Sequence, residues 1–361
     1  MVSIPKQLDL AFPKFREFLY RAYRRMEIHD HQLLYLFLEL TQRCNLTCIH
    51  CGSDCSSDNS RDRMDEPDWE KVIDYVAKQF KFLPSITLTG GEPLLFDWLE
   101  KLGAYIHAKG MRWGFVTNGL LLDEYRLHAV ESSGVESITI SLDGEKSTHD
   151  WIRGKAGAWL CAMRAISLLG KSHIPGRDVV TCVSPLNFRD LDAVASTLSS
   201  TGINSWRLFR IFPKGRALAH PELFLNRSTY FELLEWIRRV RPSLARKGIE
   251  LSLSCDGWLP FDVDRQVRSM PFFCRSGIQI ASILHDGTIT GCQNNDIGFA
   301  QGNFFKDDFV SVWDHEFKPF RNRLWLNSTV CPKCKEFSGC KGGSMHSWNS
   351  GSYNPTQCWK M

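Results

Sequence analysis

No apolar stretch in this chain reaches the roughly 18 residues that a membrane-spanning helix needs. The amino terminus also lacks the charged, apolar and small-residue order of an export signal, so a soluble, cytoplasmic protein is expected. Charge of one sign is in short supply. Forty-four Lys and Arg stand against 40 Asp and Glu, and the formal +4 is spread along 361 residues, which leaves no footprint for nucleic acid. The sequence shows no internal repeat and no low-complexity linker, which argues against a solenoid or a string of tethered modules. The middle of the chain is poor in cysteine. Only Cys161 and Cys182 fall there, and both read as small buried apolar residues.

Cysteine is abundant at the two ends, with four in 44–55 and seven in 255–358 out of thirteen. In a reducing compartment such clusters point to metal or redox chemistry rather than to disulfides. The length and a hydrophobic content of 43% suffice for one large core and a smaller one. Residues 1–32 carry Phe12, Phe15, Phe18, Leu19 and Tyr23 among Arg16, Arg21, Arg24 and Arg25, the pattern of an amphipathic helix lying on the main domain, with membrane binding as the alternative. From Leu33, short β-rich runs alternate with helical patterns: 34–40, 85–88, 113–117, 137–142, 178–183 and 205–211. Such alternation predicts parallel strands with right-handed crossovers, and six units make a partial (β/α)6 barrel over 33–212. A bridging region, 213–273, holds a charged helical segment at 230–246 and the run 249–254. Residues 274–361 are rich in Gly, Cys, Asn and Trp, with too little apolar content for a core of their own, so metal clusters are expected to hold them together.

The strongest local signal is Cys44, Cys48 and Cys51 in C-x-x-x-C-x-x-C spacing directly after the first strand run. Three thiolates from one loop can hold three irons of a cubane cluster and leave the fourth iron open for a small molecule. Gly90-Gly91-Glu92-Pro93 follows the second strand run, and its glycines would let the backbone approach a ligand closely. Thr117-Asn118-Gly119 and Ser141-Leu142-Asp143-Gly144 end the next two runs, where a barrel gathers its polar site residues. Arg153 follows in His149-Asp150-Trp151-Ile152-Arg153-Gly154, and is either a charge-assisted anchor for a carboxylate or a surface arginine near a loop. His50 precedes the third cysteine and is an unsuitable extra ligand. Cys55 reads as a structural or incidental thiol, since a fourth protein ligand would close the open iron.

These motifs together resemble the radical S-adenosylmethionine (SAM) superfamily, and the resemblance covers residues 33–361 in outline. It implies a SAM-binding [4Fe–4S] cluster on Cys44, Cys48 and Cys51. It also implies SAM contacts from Gly90, Gly91, Glu92 and Pro93, from Thr117 and Asn118, from Ser141 and Asp143 to the ribose or carboxylate, from Arg153 to the methionine carboxylate, and from His50 beside the adenine. Cys274, Gly287 and Cys292, then Gly302-Asn303, Trp313, Cys331-x-x-Cys334-x5-Cys340 and Cys358 are similar to the SPASM extension of this superfamily, whose cysteines bind one or two auxiliary iron–sulfur clusters. By that resemblance Cys331, Cys334, Cys340 and Cys358 form the distal cluster, although the same spacing also suits zinc. The family's next cysteine is Ser344 here, which leaves Cys274 and Cys292 short of ligands. Cys255 is a third and His346 a possible fourth, and an open iron, a [2Fe–2S] centre or no cluster at all remain as alternatives.

The resemblance further implies reductive cleavage of SAM to a 5′-deoxyadenosyl radical, hydrogen abstraction from a tightly held substrate, and auxiliary clusters that move electrons. Relatives of this kind oxidise or crosslink peptides and proteins, so the expected partners are a peptide or small protein, for example a lipoprotein encoded nearby, and an electron donor such as flavodoxin or ferredoxin. Gln293 follows Cys292 where sulfatase-maturing relatives carry an aspartate base, and no residue is singled out for the final proton transfer. The alternatives are a dehydrogenase or lyase acting on a small metabolite, or a non-catalytic iron–sulfur or zinc protein that binds a partner.

Overall fold

The computed structural model describes residues 13–58 and 62–358. Residues 1–12 of the expected amphipathic segment, Phe12 among them, lie outside that range. One ten-stranded sheet runs through the molecule. Its parallel part is β1 (Tyr35–Glu39), β2 (Ser85–Thr89), β3 (Trp113–Thr117), β4 (Ser137–Ser141), β5 (Gly176–Val183), β6 (Ser205–Arg210) and β7 (Glu250–Leu253), paired in chain order. The longer helices are α1 (Pro13–Asp30), α2 (Glu66–Gln79), α3 (Leu99–Ala108), α4 (Glu124–Ser132), α5 (Lys146–Arg153), α6 (Ala158–Lys171), α7 (Leu191–Leu198), α8 (Arg227–Arg246), α9 (Phe261–Val267) and α10 (Phe309–His315). This is the partial (β/α)6 barrel expected from the alternation, extended by β7 from the bridging region, which pairs with β6.

Local chemistry sets the crossovers. Asp65 caps α2 by accepting the Asp68 N–H, while the Asp68 side chain returns to the Asp65 N–H, which fixes the start of the helix at Glu66. Asp123 caps α4 by accepting the Arg126 N–H. Helices cover the sheet, and strand residues such as Leu36, Leu38, Ile86, Leu88, Ile138 and Ile140 are fully buried, as parallel strands require.

In the carboxy-terminal segment Phe309, Trp313, Phe317, Phe320 and Trp348 are buried in the same hydrophobic cluster as the barrel, so this segment shares the barrel's core. Its strand β8 (Ile280–Ile283) pairs parallel with β1, followed by the antiparallel β9 (Thr288–Thr290) and β10 (Gly302–Asn303). The sheet therefore crosses the boundaries drawn at 213 and 274. The physical reason is that β1 offers a free edge with unpaired backbone groups, which β8 satisfies.

One expectation is corrected at α1, which docks through Tyr20, Arg24 and Glu27. The Tyr20 hydroxyl donates to the Pro271 carbonyl, Arg24 donates to the Gly339 carbonyl, and Glu27 pairs with Arg275 at 2.9 Å. Phe15, Phe18, Leu19 and Tyr23, expected to face the main domain, are instead exposed, together with Met26.

Candidate active site

At the carboxyl ends of β1 to β6 lies a cavity of about 290 Å³ lined by Cys44, Cys48, Cys51 and Cys55, by Gly90 and Gly91, by Thr117 and Asn118, and by His50, Ser141 and Arg153. The cysteine loop leaves β1 and is fixed by its neighbour. Gly91 N–H donates to the Thr41 carbonyl at 2.8 Å and Glu92 N–H to the Arg43 carbonyl at 3.0 Å. The glycines are needed for this contact rather than only for a ligand. A Cβ on Gly90, whose φ is +138°, would lie 2.4 Å from the Thr41 oxygen, and one on Gly91 would lie 2.1 Å from the Arg43 oxygen. Gly91→Ala should push the cysteine loop away, at a cost of about 1–3 kcal/mol for overpacking. Iron bound by the first cysteine motif should fall, as measured by iron content and the visible absorbance of the anaerobic protein.

Glu92, Pro93 and Asp143 were expected to touch SAM, but none of the three lines the cavity. Glu92 is fully buried and accepts from the Thr117 hydroxyl (2.7 Å), the Asn118 N–H (2.8 Å) and the Leu94 N–H (3.1 Å), thereby tying the end of β2 to that of β3. Its burial raises the carboxyl pKa. Asn118 in turn donates through Nδ2 to Asn45 in the cysteine loop at 2.8 Å.

Asp143 is also fully buried. Its Oδ1 accepts the Cys182 N–H at 2.8 Å, and its Oδ2 lies 2.7 Å from Arg153 and 3.3 Å from His50 Nε2. Burial alone would raise its pKa, but the Arg153 guanidinium and His50 outweigh that and hold it well below the usual carboxylate range. The surface-arginine alternative for Arg153 is excluded, since it is 8% exposed and also points Nη1 at the Cys48 sulfur, 3.8 Å away. Asp143 thus orients two residues of the cavity wall without reaching the cavity itself.

Sequence reasoning missed part of that wall. Cys182 on β5, Phe209, Arg210, Ile211 and Phe212 at the end of β6, Arg216, and Gln293 and Asn294 from the carboxy-terminal region all line it. Gln293 accepts from the Thr89 hydroxyl at 2.8 Å, while Lys214 donates to the Asn295 carbonyl at 2.7 Å. Gln293 and Asn294 follow Cys292 directly, the one sequence signal that placed them near a site.

Outside the lining of this cavity, Cys255, Cys274 and Cys292 lie close enough to interact electrostatically, as do Cys331, Cys340 and Cys358, with Cys334 beside Cys331. No disulfide joins any of these cysteines.

Comparison with known proteins decides the family. Residues 38–198 match the radical SAM superfamily, and residues 274–336 match SPASM, an iron–sulfur cluster-binding domain. The chain belongs to the radical SAM superfamily. An AdoMet-dependent heme synthase of Methanosarcina barkeri is 25% identical to it, over 84% of this chain and 89% of the relative. The mycofactocin maturase MftC of Mycolicibacterium smegmatis is 26% identical, over 85% and 76%. Among solved structures, Streptococcus suis SuiB bound to S-adenosylmethionine shares the fold with a TM-score of 0.68 at 14% identity, covering 94% of this chain and 83% of SuiB. The protein is accordingly a radical SAM enzyme with a [4Fe–4S] cluster, SAM and auxiliary iron–sulfur clusters.

The donor set fits a radical SAM cluster. All the sulfur donors of the first motif face one cavity, and soft thiolates select iron–sulfur over hard cations. Burial pushes the Cys44 thiol up to about 11 and also raises Cys48. Cys51 moves the other way, below the usual thiol range, because the Cys55 thiol donates a hydrogen bond to its sulfur, joined by the Cys55 N–H at 3.4 Å. Cys55 is 2% exposed and, as the donor of that bond, is held far above the normal thiol range. It supports Cys51 rather than standing idle.

Proposed function

We propose that this radical SAM enzyme removes a hydrogen atom from a peptide or small protein and leaves an oxidised or crosslinked product. Cys44, Cys48 and Cys51 would hold the cluster, with Gly90, Gly91, Thr117, Asn118, Ser141, His50 and Arg153 around SAM, and Cys331, Cys334, Cys340 and Cys358 would hold the distal auxiliary cluster. When bound, the reduced cluster and SAM supply a 5′-deoxyadenosyl radical. The chain's own residues position and shield. Arg153, held on Asp143, presents fixed positive charge at the cavity wall, and Phe209, Ile211 and Phe212 provide an apolar side that keeps water from a reactive carbon. Gln293, held by Thr89, offers an amide and takes up no proton, so this position does not serve as a base.

The observation that carries the assignment is the single cavity that unites the three cysteines with the glycine turn and Arg153. The peptide reading is supported by similarity to the maturases MftC and SkfB and by the shared fold with SuiB, which has also been solved with its precursor peptide SuiA. A second reading, a small-molecule substrate such as a porphyrin, is supported by the heme and Fe-coproporphyrin III synthases, and by a cavity to which the bridging region contributes only Arg216.

Co-expression with a small protein encoded beside this chain, followed by mass spectrometry, separates the two readings. Loss of hydrogen from that protein, absent with the Cys48→Ala variant, is the expected result. An unaltered mass, with SAM turnover stimulated by a porphyrin instead, would overturn the peptide reading.

A further inference from the structure

The ligand count around Cys255, Cys274 and Cys292 leaves one position to be filled. These thiols come from three separate stretches: Cys255 in a left-handed turn after β7 with φ +48°, Cys274 ahead of β8, and Cys292 after β9. Ser344 stands at the fourth position of the resemblance, but its hydroxyl is committed elsewhere. It donates to the Cys255 carbonyl at 3.3 Å and is 1% exposed. Directly after it, in the short helical turn Met345–Ser347, the Met345 N–H donates to the Cys274 sulfur at 3.5 Å and His346 Nδ1 lies 3.9 Å from the Cys255 sulfur. One turn of chain thus touches two of the three thiols, and the imidazole is the side chain it brings to them.

We propose that His346, through Nδ1, is the fourth protein ligand of an iron–sulfur cluster held by Cys255, Cys274 and Cys292. Imidazole replaces thiolate on iron in known centres, and a neutral ligand in place of an anionic one raises the reduction potential. A serine hydroxyl is a poorer choice, since it is a hard donor and here is already bonded to backbone. The His346 ring is fixed from the other side by Phe212, whose centroid is 4.6 Å away, which restricts its rotation about the thiols. Phe212 also lines the SAM cavity, so one aromatic ring separates this ligand from the place where a substrate would react. The cluster is then closed to substrate and acts as an electron carrier next to the cavity.

The test needs no substrate. In full-length protein carrying Cys44→Ala, Cys48→Ala and Cys51→Ala, with Cys331→Ala and Cys334→Ala removing the distal site, the iron that remains reports this cluster alone. Pulsed EPR of the dithionite-reduced protein should show a strong nitrogen coupling that changes when the protein is grown with ¹⁵N-histidine. His346→Cys should retain the iron, lose that coupling and lower the reduction potential. An iron-replete protein whose spectrum ignores the isotope overturns the proposal, as does a His346→Cys spectrum identical to that with histidine, or the absence of iron in this background while its circular dichroism stays that of the unsubstituted protein. The isotope arm uses the natural residue at 346, so it stands even where His346→Cys fails to fold, and circular dichroism of the five-alanine background confirms that the protein measured is folded. It is also independent of whether peptides or small molecules are modified.

Discussion

Cys44→Ala, Cys48→Ala and Cys51→Ala together should leave a folded protein that retains iron through its carboxy-terminal cysteines yet releases no 5′-deoxyadenosine from SAM under dithionite. Folding should survive because the loop is held by backbone, through the Thr41 and Arg43 carbonyls, and not by its sulfurs alone. The single Cys48→Ala change should have the same effect on turnover, since its sulfur lies deepest of the three, at 8% exposure, and faces Arg153. Chromatography of the nucleotide products, alongside circular dichroism and iron content, checks both halves. Residual cleavage in the triple variant would show that the reaction does not run through this motif.

Asp143→Ala should cost about 3–5 kcal/mol of stability, the usual penalty for stranding a buried charge, because the Arg153 guanidinium loses its counter-ion inside the protein. Asp143→Asn keeps an acceptor for the Cys182 N–H and should recover part of that loss while leaving SAM binding weak, since Arg153 and His50 still lose the charge that orients them. The pH dependence follows from the same cluster. The Asp143 carboxyl is held below its unfolded value of about 3.9, so its contribution is present above that value and is lost as the pH falls through the depressed folded value. His149, which accepts the Asp143 N–H at 3.0 Å, is lowered by burial to about 4. The unfolded chain therefore binds a proton at His149 between about pH 6.5 and 4 that the folded chain refuses, and stability declines through that interval on acidification. Denaturant titrations at a series of pH values should show this decline, and His149→Gln should flatten it.

Much of this site was legible because its parts lie close together in the chain. The cysteine spacing, the Gly90-Gly91 turn and the polar residues ending β3 and β4 are local patterns, and six parallel strands follow from their alternation with helices. Residues whose role depends on distant partners were less legible. Glu92 is claimed by Thr117 and Asn118 across 25 and 26 positions, and Asp143 by a histidine and an arginine on either side of it in sequence, so the motif that contains each one does not reveal whom it serves. The outward Phe15, Phe18, Leu19 and Tyr23 show the same limit from the other direction. An amphipathic pattern gives the stripe, while the hydrogen bond from Tyr20 and the Glu27–Arg275 pair choose the face that docks. Pairing of β1 with β8 joins strands about 245 residues apart, which no local window can register.

That pairing has a consequence for how the protein is made. The outer edge of Tyr35–Leu38 stays open during synthesis until Ile280–Ile283 has left the ribosome, and an open edge invites pairing with a neighbouring nascent chain. A chain interrupted before that point would expose the edge permanently and should accumulate as insoluble material. The adjoining iron-acquiring loop would then sit on an unfinished scaffold, so delivery of iron is best timed after translation is complete.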